Sequence, residues 1–491
     1  METGRKKQLM LCALTAGLGL LPVSQLTAQI FTTLHSYTPT SGIFSNNTNS
    51  DGAVPQAGLI ASGSMLYGTA YSGGSSGYGT VFAITNSGLF FSTLHSFTNG
   101  GGGANPVGSL ILSGNTLYGT ANAGGSSGVG MVFAVSVGGT LFTNLHSFSA
   151  LNNFTNSDGA NPQAGLLSSG GLLYGTASGG GTWGNGTVFA VTTNGMIFTN
   201  LHNFTPAPSP GFTNNDGASP RGDLWLSGNT LYGTTYGGGS SGNGTVFAVS
   251  TDGQMFTVLH SFTATSGSHS TNSDGAHPAA GLVLSGNALF GTAYQGGASG
   301  NGTIFAINTD NLEFTNLHDF TANSSGFNSD GANPAAALIL SGNTLYGTAF
   351  NGGQHGWGTV FAVTTNGGSF KTLYSFTSVS GTASTNSDGA RPQARLILLG
   401  NSLYGTATVG GSAGNGTVFA LSWPELAIVP AGTNVILMWP TNATGYNLQS
   451  ATNLVSPVIW NAVSPGPVMV SGQFTVTNPI SAMQQFYRLI H

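Results

Sequence analysis

Six times the chain sets a carboxylate just before a glycine, in loops of the form N-x-D-G-A-x-P such as Asn328–Pro334. The acids are Asp51, Asp158, Asp216, Asp274, Asp330 and Asp388. Carboxylate, Asn amide and backbone carbonyl oxygens are hard ligands suited to calcium, and the glycine permits a sharp bend. The same residues also make a turn whose carboxylate accepts backbone N–H groups, with Gly at positive φ and Pro fixing the start of the next strand. One carboxylate per loop is few for a strong calcium site, so the turn is favoured. No cofactor is expected beyond calcium held weakly, at about 10⁻⁴ to 10⁻³ M.

A second recurring set is His35, His95, His146, His202, His260 and His318, with Tyr374 in one place. Packed sheets lie about 10 Å apart and Zn–N bonds are about 2 Å long, so equivalent histidines on neighbouring sheets cannot share an ion. A hydrogen bond to a backbone or loop group is expected instead, and a tyrosine can make one.

Departures from the pattern point to a ligand site. Where other copies have Gly58, Ser109, Gly165, Gly281 and Ala337, two have Asp223 and Arg395. With Arg221 and Arg391 nearby, and Tyr78, Trp183, His355 and Trp357 on hairpin loops of the same face, these side chains suit a glycan or a surface protein. The competing expectation is that Asp223 and Arg395 pair across a channel and plug it. Glycosidase chemistry needs two carboxylates about 5–9.5 Å apart, and apart from the loop acids only Asp223 belongs to this face. A binding or structural module is therefore expected, with a carbohydrate-active hydrolase or lyase on the same long-loop face as the alternative, and no catalytic residue is assigned. The tripeptide Arg221–Asp223 begins an inner strand rather than a mobile tip, which discounts it as an integrin-type motif.

These residues are positioned by a repeat. "LYGT" or a variant falls at Tyr67, Tyr118, Tyr174, Tyr232, Phe290, Tyr346 and Tyr404, giving seven units 51 to 58 residues apart. In repeat 6 four strands are expected, Ala336–Ser341, Thr344–Phe350, Gly358–Thr364 and Gly368–Phe376, each apolar and bounded by Gly, Asn or Ser. Four strands in that length is the size of a propeller blade. Repeat 7 stops after "GTVFALS" at Ser422, and an orphan fourth strand, Ile30–Thr38, precedes repeat 1. Residues 30–422 are therefore expected to form an all-β, seven-bladed β-propeller closed by its N-terminal strand.

The motifs "LHSF", "DGANPQAGL", "LYGTA" and "GNGTVFAV" resemble the Gloeo-Verruco tandem repeat family of predicted extracellular bacterial proteins. The resemblance covers residues 30–422 and implies a secreted bacterial protein, but brings no catalytic motif. Repeat 2 departs from it, with "NGGGGANP" at Asn99–Pro106 in place of the Asp loop. Residues 423–491 alternate apolar and polar side chains at strand length. They look like a small β-sandwich of the fibronectin type III or immunoglobulin kind, a spacer or attachment module.

Residues 1–28, with Arg5, Lys6 and Lys7 before an apolar run from Leu9 to Leu21, read as a signal peptide. The one cysteine, Cys12, lies inside it, so no disulfide is expected in a mature chain. Beyond the leader five basic side chains stand against twelve acidic ones, a net of −7. Five scattered cations cannot make a nucleic-acid surface, and no later apolar run is long enough for a membrane span. A secreted or cell-surface monomer is the expectation.

Overall fold

The computed structural model describes residues 29–41, 47–441, 443, 445–455, 458–480 and 484–490. The leader expected at residues 1–28 lies outside them. The chain is all-β. Among the described residues the helical structure is a single short turn, Gly100–Gly102.

Each of the first six repeats forms an antiparallel sheet whose strands follow chain order, and in repeats 2 and 4 the short strands Ala104–Pro106 and Ala218–Pro220 add a fifth. In repeat 6 these are Ile339–Ser341, Thr344–Ala349, Thr359–Thr364 and Phe370–Ser375. The first strand is three residues shorter than expected, for a visible reason. The Ala336 carbonyl accepts the Thr292 hydroxyl of the preceding repeat at 3.1 Å, so this segment is bonded across repeats rather than within its own sheet. The same threonine of "LYGT" makes this bond at Thr120–Ala164 and Thr234–Ala280, both 2.8 Å, and at Thr406–Ala57, 3.2 Å. The sheet of repeat 7 comprises Ile397–Leu399, Ser402–Ala407 and Thr417–Ser422, with Ile30–Ser36 as its fourth strand.

The glycine of "LYGT" is space for the core. A Cβ on Gly347 would stand 2.6 Å from Phe361 Cζ and 2.8 Å from Leu338 Cδ2, both on fully or nearly fully buried side chains. Between repeats, the aromatic ending "LHSF" meets the "GTVF" phenylalanine of the next repeat edge-on. Phe97–Phe133, Phe204–Phe247 and Phe376–Phe419 have centroids 5.2, 5.5 and 5.3 Å apart, and Tyr37–Phe82 makes the equivalent contact at 5.9 Å. Such contacts contribute about 0.5–1.5 kcal/mol each beyond burial, so the "F" of two motifs stitches one sheet to the next.

Two compact units emerge. One is Thr32–Leu399 with Leu403–Ala420; the other is centred on Leu421–His491. In the second, a sheet of Ala427–Ala431, Asn434–Pro440, Gln473–Pro479 and Val468–Val470 shares a core with a sheet of Asn461–Ala462, Asn447–Ala451 and Phe486–Ile490. Val435, Leu437, Trp439 and Val476 of the first meet Leu448 and Tyr487 of the second, and Asn478 Nδ2 donates to the Tyr487 hydroxyl at 2.6 Å. Among the described residues no helix is long and apolar enough to cross a membrane.

Candidate functional site

The loop acids serve as staples. His35 Nε2 donates to Asp51 Oδ2 at 2.9 Å, the Thr38 N–H donates to the same oxygen at 3.0 Å, and the Thr38 hydroxyl donates to Oδ1. The set recurs at His146–Asp158, His202–Asp216, His260–Asp274 and His318–Asp330, at 2.9 to 3.0 Å, while the Tyr374 hydroxyl donates to Asp388 at 2.8 Å. Each imidazole also lies flat on a phenylalanine of the next repeat, as His35 does on Phe91 with centroids 3.9 Å apart. The turn itself is made by the asparagine two residues earlier. Asn49 Oδ1 accepts from Gly52 N at 2.9 Å and Gly74 N at 2.8 Å, and Nδ2 donates to the Thr38 and Gly52 carbonyls.

The turn reading thus needs one correction: the Asp carboxylate engages side-chain as well as backbone donors, across a chain reversal. Burial works against the charge on Asp51, Asp158, Asp216, Asp274 and Asp330. The imidazole, hydroxyl and N–H bonds outweigh it and hold all five carboxyls below the usual range. Both carboxylate oxygens face donors, the reverse of the gathered acceptors a calcium ion requires. Among the described residues no three His, Cys, Asp or Glu side chains come together.

Repeat 2 lacks the staple. Gly102 occupies the Asp position, and a Cβ there would press on the Thr98 hydroxyl, the counterpart of Thr38, which must turn aside to admit it. His95 Nε2 is buried without a hydrogen-bond partner among the described residues, and burial pushes its imidazole pKa down.

The residue before each loop proline is left-handed, with φ of 54 to 58° at Val54, Asn105, Asn161, Ser219, His277, Asn333 and Arg391. Its N–H donates to the preceding repeat, as Asn333 N does to Asn301 O at 2.7 Å and Val54 N does to Asn415 O at 2.8 Å. This fixes the segment that follows, and in every repeat that segment lines one cavity of about 370 Å³. Three consecutive residues line it in most repeats, among them 56–58, 107–109, 221–223 and 393–395.

Of the residues singled out in the sequence, Arg221, Asp223 and Arg395 come together on this wall. Asp223 Oδ1 accepts from Gly165 N at 2.6 Å. Burial raises its carboxyl pKa, partly offset by the Arg395 charge and by that N–H. No ion pair joins Asp223 to Arg395, so the expected plug does not form. The Arg221 guanidinium stacks on Tyr236, 3.9 Å from the ring centroid. Arg391 is exposed, with its guanidinium over Trp357 at 5.0 Å and Phe350 at 5.4 Å. Arg391, Tyr78, Trp183, His355 and Trp357 do not line the cavity. Tyr78 packs into the core between repeats 1 and 2, His355 is exposed, and Trp183 is 53 % exposed. Sequence reasoning missed Tyr236, Tyr294 and the glutamines Gln56, Gln163 and Gln393 on the wall. The glutamines were findable, because they sit two residues before the innermost position and so share its face.

A chain of repeated four- and five-stranded antiparallel sheets, with a cavity lined by the same segment of every copy, defines a repeat protein whose candidate site is built by repetition. The Gloeobacter/Verrucomicrobia repeat matches residues 23–211, 148–327 and 327–436, and the chain belongs to that family. No curated protein matches it. Among solved structures it is similar to the nidogen/laminin complex, with 14 % identity over 61 % of this chain and 90 % of that one, at a TM-score of 0.37. It is also similar to an oligogalacturonate lyase in complex with manganese, with 10 % identity over 81 % and 98 % of the two chains, at a TM-score of 0.42.

Proposed function

We propose that the chain is a secreted or cell-surface seven-bladed β-propeller, closed by its N-terminal strand, that binds a saccharide in its central cavity. The C-terminal pair of sheets is a β-sandwich module of the fibronectin type III or immunoglobulin kind that spaces or attaches it. Closure is supported by contacts that return from repeat 7 to repeat 1: Thr406 to Ala57, Val54 to Asn415, and the Gly58 backbone, where an added Cβ would lie 3.0 Å from Arg395 O.

The observation that carries the binding reading is the convergence of Arg221, Asp223 and Arg395 on one wall. Every other lining position is uncharged, so these three break a pattern that packing alone would keep. The glutamine amides supply donors and acceptors for hydroxyl groups, and Tyr236 and Tyr294 supply apolar ring faces. A hydrolase or lyase would draw on Asp223, whose raised pKa suits a general acid. No second carboxylate lines the cavity to complete such a pair, and binding is the better-supported function.

A panel of neutral and acidic saccharides, titrated calorimetrically and assayed for product release, tests this. Binding without turnover, weakened at least tenfold by Asp223→Asn, is expected. Product release lost in Asp223→Asn would replace the binding reading with the enzymatic one, and absence of binding to any saccharide would overturn both.

A further inference from the structure

We propose that the cavity selects a saccharide bearing a carboxylate, a hexuronic acid or a chain end that carries one. The inference rests on the saccharide reading above and names the class of sugar.

Two guanidinium groups and a single carboxylate line the wall. Nε of Arg221 and Nε of Arg395 are both buried and lack a hydrogen-bond partner among the described residues. A buried charged donor without an acceptor is costly to the free protein, and the two occur together at one cavity. Asp223 does not relieve them. It forms no ion pair with either arginine, and its Oδ1 is occupied by Gly165 N. The wall therefore keeps an excess of positive charge with an acceptor beside it.

Stacking on Tyr236 fixes the plane of the Arg221 guanidinium, and a fixed planar fork matches a planar carboxylate better than a neutral hydroxyl. Asp223 then accepts a ligand hydroxyl, while Gln56, Gln163 and Gln393 satisfy others. A neutral sugar would leave the excess positive charge of the wall without a counter-charge. An amino acid would satisfy the charges and leave the three amides idle. The volume, about 370 Å³, lies at the small end of ligand pockets, which span about 300–1,000 Å³, and suits the end of a chain rather than its length.

The full chain is titrated calorimetrically with D-glucuronic acid, D-glucose, D-glucose 6-sulfate and glycine at neutral pH and low salt. Glucuronate is expected to bind at least tenfold more tightly than glucose, with an affinity that falls as salt rises while that of glucose does not. Arg395→Gln and Arg221→Gln should each lower the ratio of glucuronate to glucose affinity at least fivefold, whatever they do to the glucose affinity itself. Arg395→Lys, which keeps the charge but not the fork, should restore only part of that ratio. The salt series on the unaltered protein decides the matter even if a variant fails to fold.

Equal binding of glucose and glucuronate would overturn the inference and leave the saccharide reading standing. Preference for the sulfate ester would overturn the choice of carboxylate. Binding of none of the four would overturn the inference and leave the saccharide reading to the wider panel above, and binding of glycine alone would overturn both readings.

Discussion

His318 Nε2 donates to Asp330 Oδ2 across 3.0 Å, joining the last strand of repeat 5 to the loop that opens repeat 6. Asp330 is almost fully buried and also accepts the Thr321 N–H at 3.0 Å and the Thr321 hydroxyl at 2.5 Å. Removing it strands three donors. Asp330→Ala should lower stability by roughly 2–3 kcal/mol, read from the denaturant midpoint at unchanged slope. A loss below about 0.5 kcal/mol would show that the staple is ornamental.

Repeat 2 offers the reverse experiment. Gly102 lies at the missing Asp position, has no positive φ, and points its absent Cβ at the exposed Thr98 hydroxyl. Gly102→Asp should give His95 an acceptor and raise the melting temperature by a few degrees. Gly101→Asp adds the same charge one residue earlier, where a Cβ meets nothing within 4 Å, and should leave the temperature unchanged. Equal responses of the two variants would count against the staple.

Acid should dismantle the staples. Asp51, Asp158, Asp216, Asp274 and Asp330 have folded-state pKa values below the ordinary 3.8. Depressed carboxyls contribute stability that is fully present above the unfolded-state value and is lost as pH falls through the folded-state values. Unfolding free energy should be flat with respect to these groups above about pH 5 and should fall below about pH 4. Denaturant titrations from pH 7 to 2.5 that show no such decline would refute the linkage.

The repeat, the four-strand order and the transfer of the N-terminal strand to the sheet of repeat 7 were legible because side-chain alternation and turn residues are local signals. The staple was not. It joins His318 to Asp330 through a loop whose path no periodicity specifies, and each residue alone reads as a strand histidine or a turn acid. The wall of the proposed site was legible only in part. Asp223 and Arg395 stood out as breaks in a register of small residues, whereas Trp183 and Trp357 share a face with them in the topology but lie off the cavity. Tyr236 was hidden because the residue after "LYGTT" faces the cavity only once the next segment is placed.

Val54 has φ of 58°, a conformation that a β-branched residue adopts only with strain. Asparagine is at the equivalent place in repeats 2, 3 and 6. There Asn105 Nδ2 and Asn333 Nδ2 donate to Tyr71 O and Tyr294 O of the preceding repeat, at 3.1 and 3.0 Å. Val54→Asn should stabilise the chain by about 1 kcal/mol, through relief of strain and a bond to repeat 7. Unfolding at an unchanged midpoint would contradict this.

With both oxygens of each loop carboxylate already facing donors, millimolar calcium should leave the melting temperature within about one degree of its value in chelator. A rise of several degrees, following mass action, would restore the calcium reading of these loops.

The central claim is that the cavity, not the aromatic loops around it, is the ligand site. A crystal structure of the chain soaked with D-glucuronic acid tests it most directly. Sugar density bounded by Arg221, Asp223 and Arg395 is the result expected; density stacked on Trp183 or Trp357 with the cavity holding only water would contradict it.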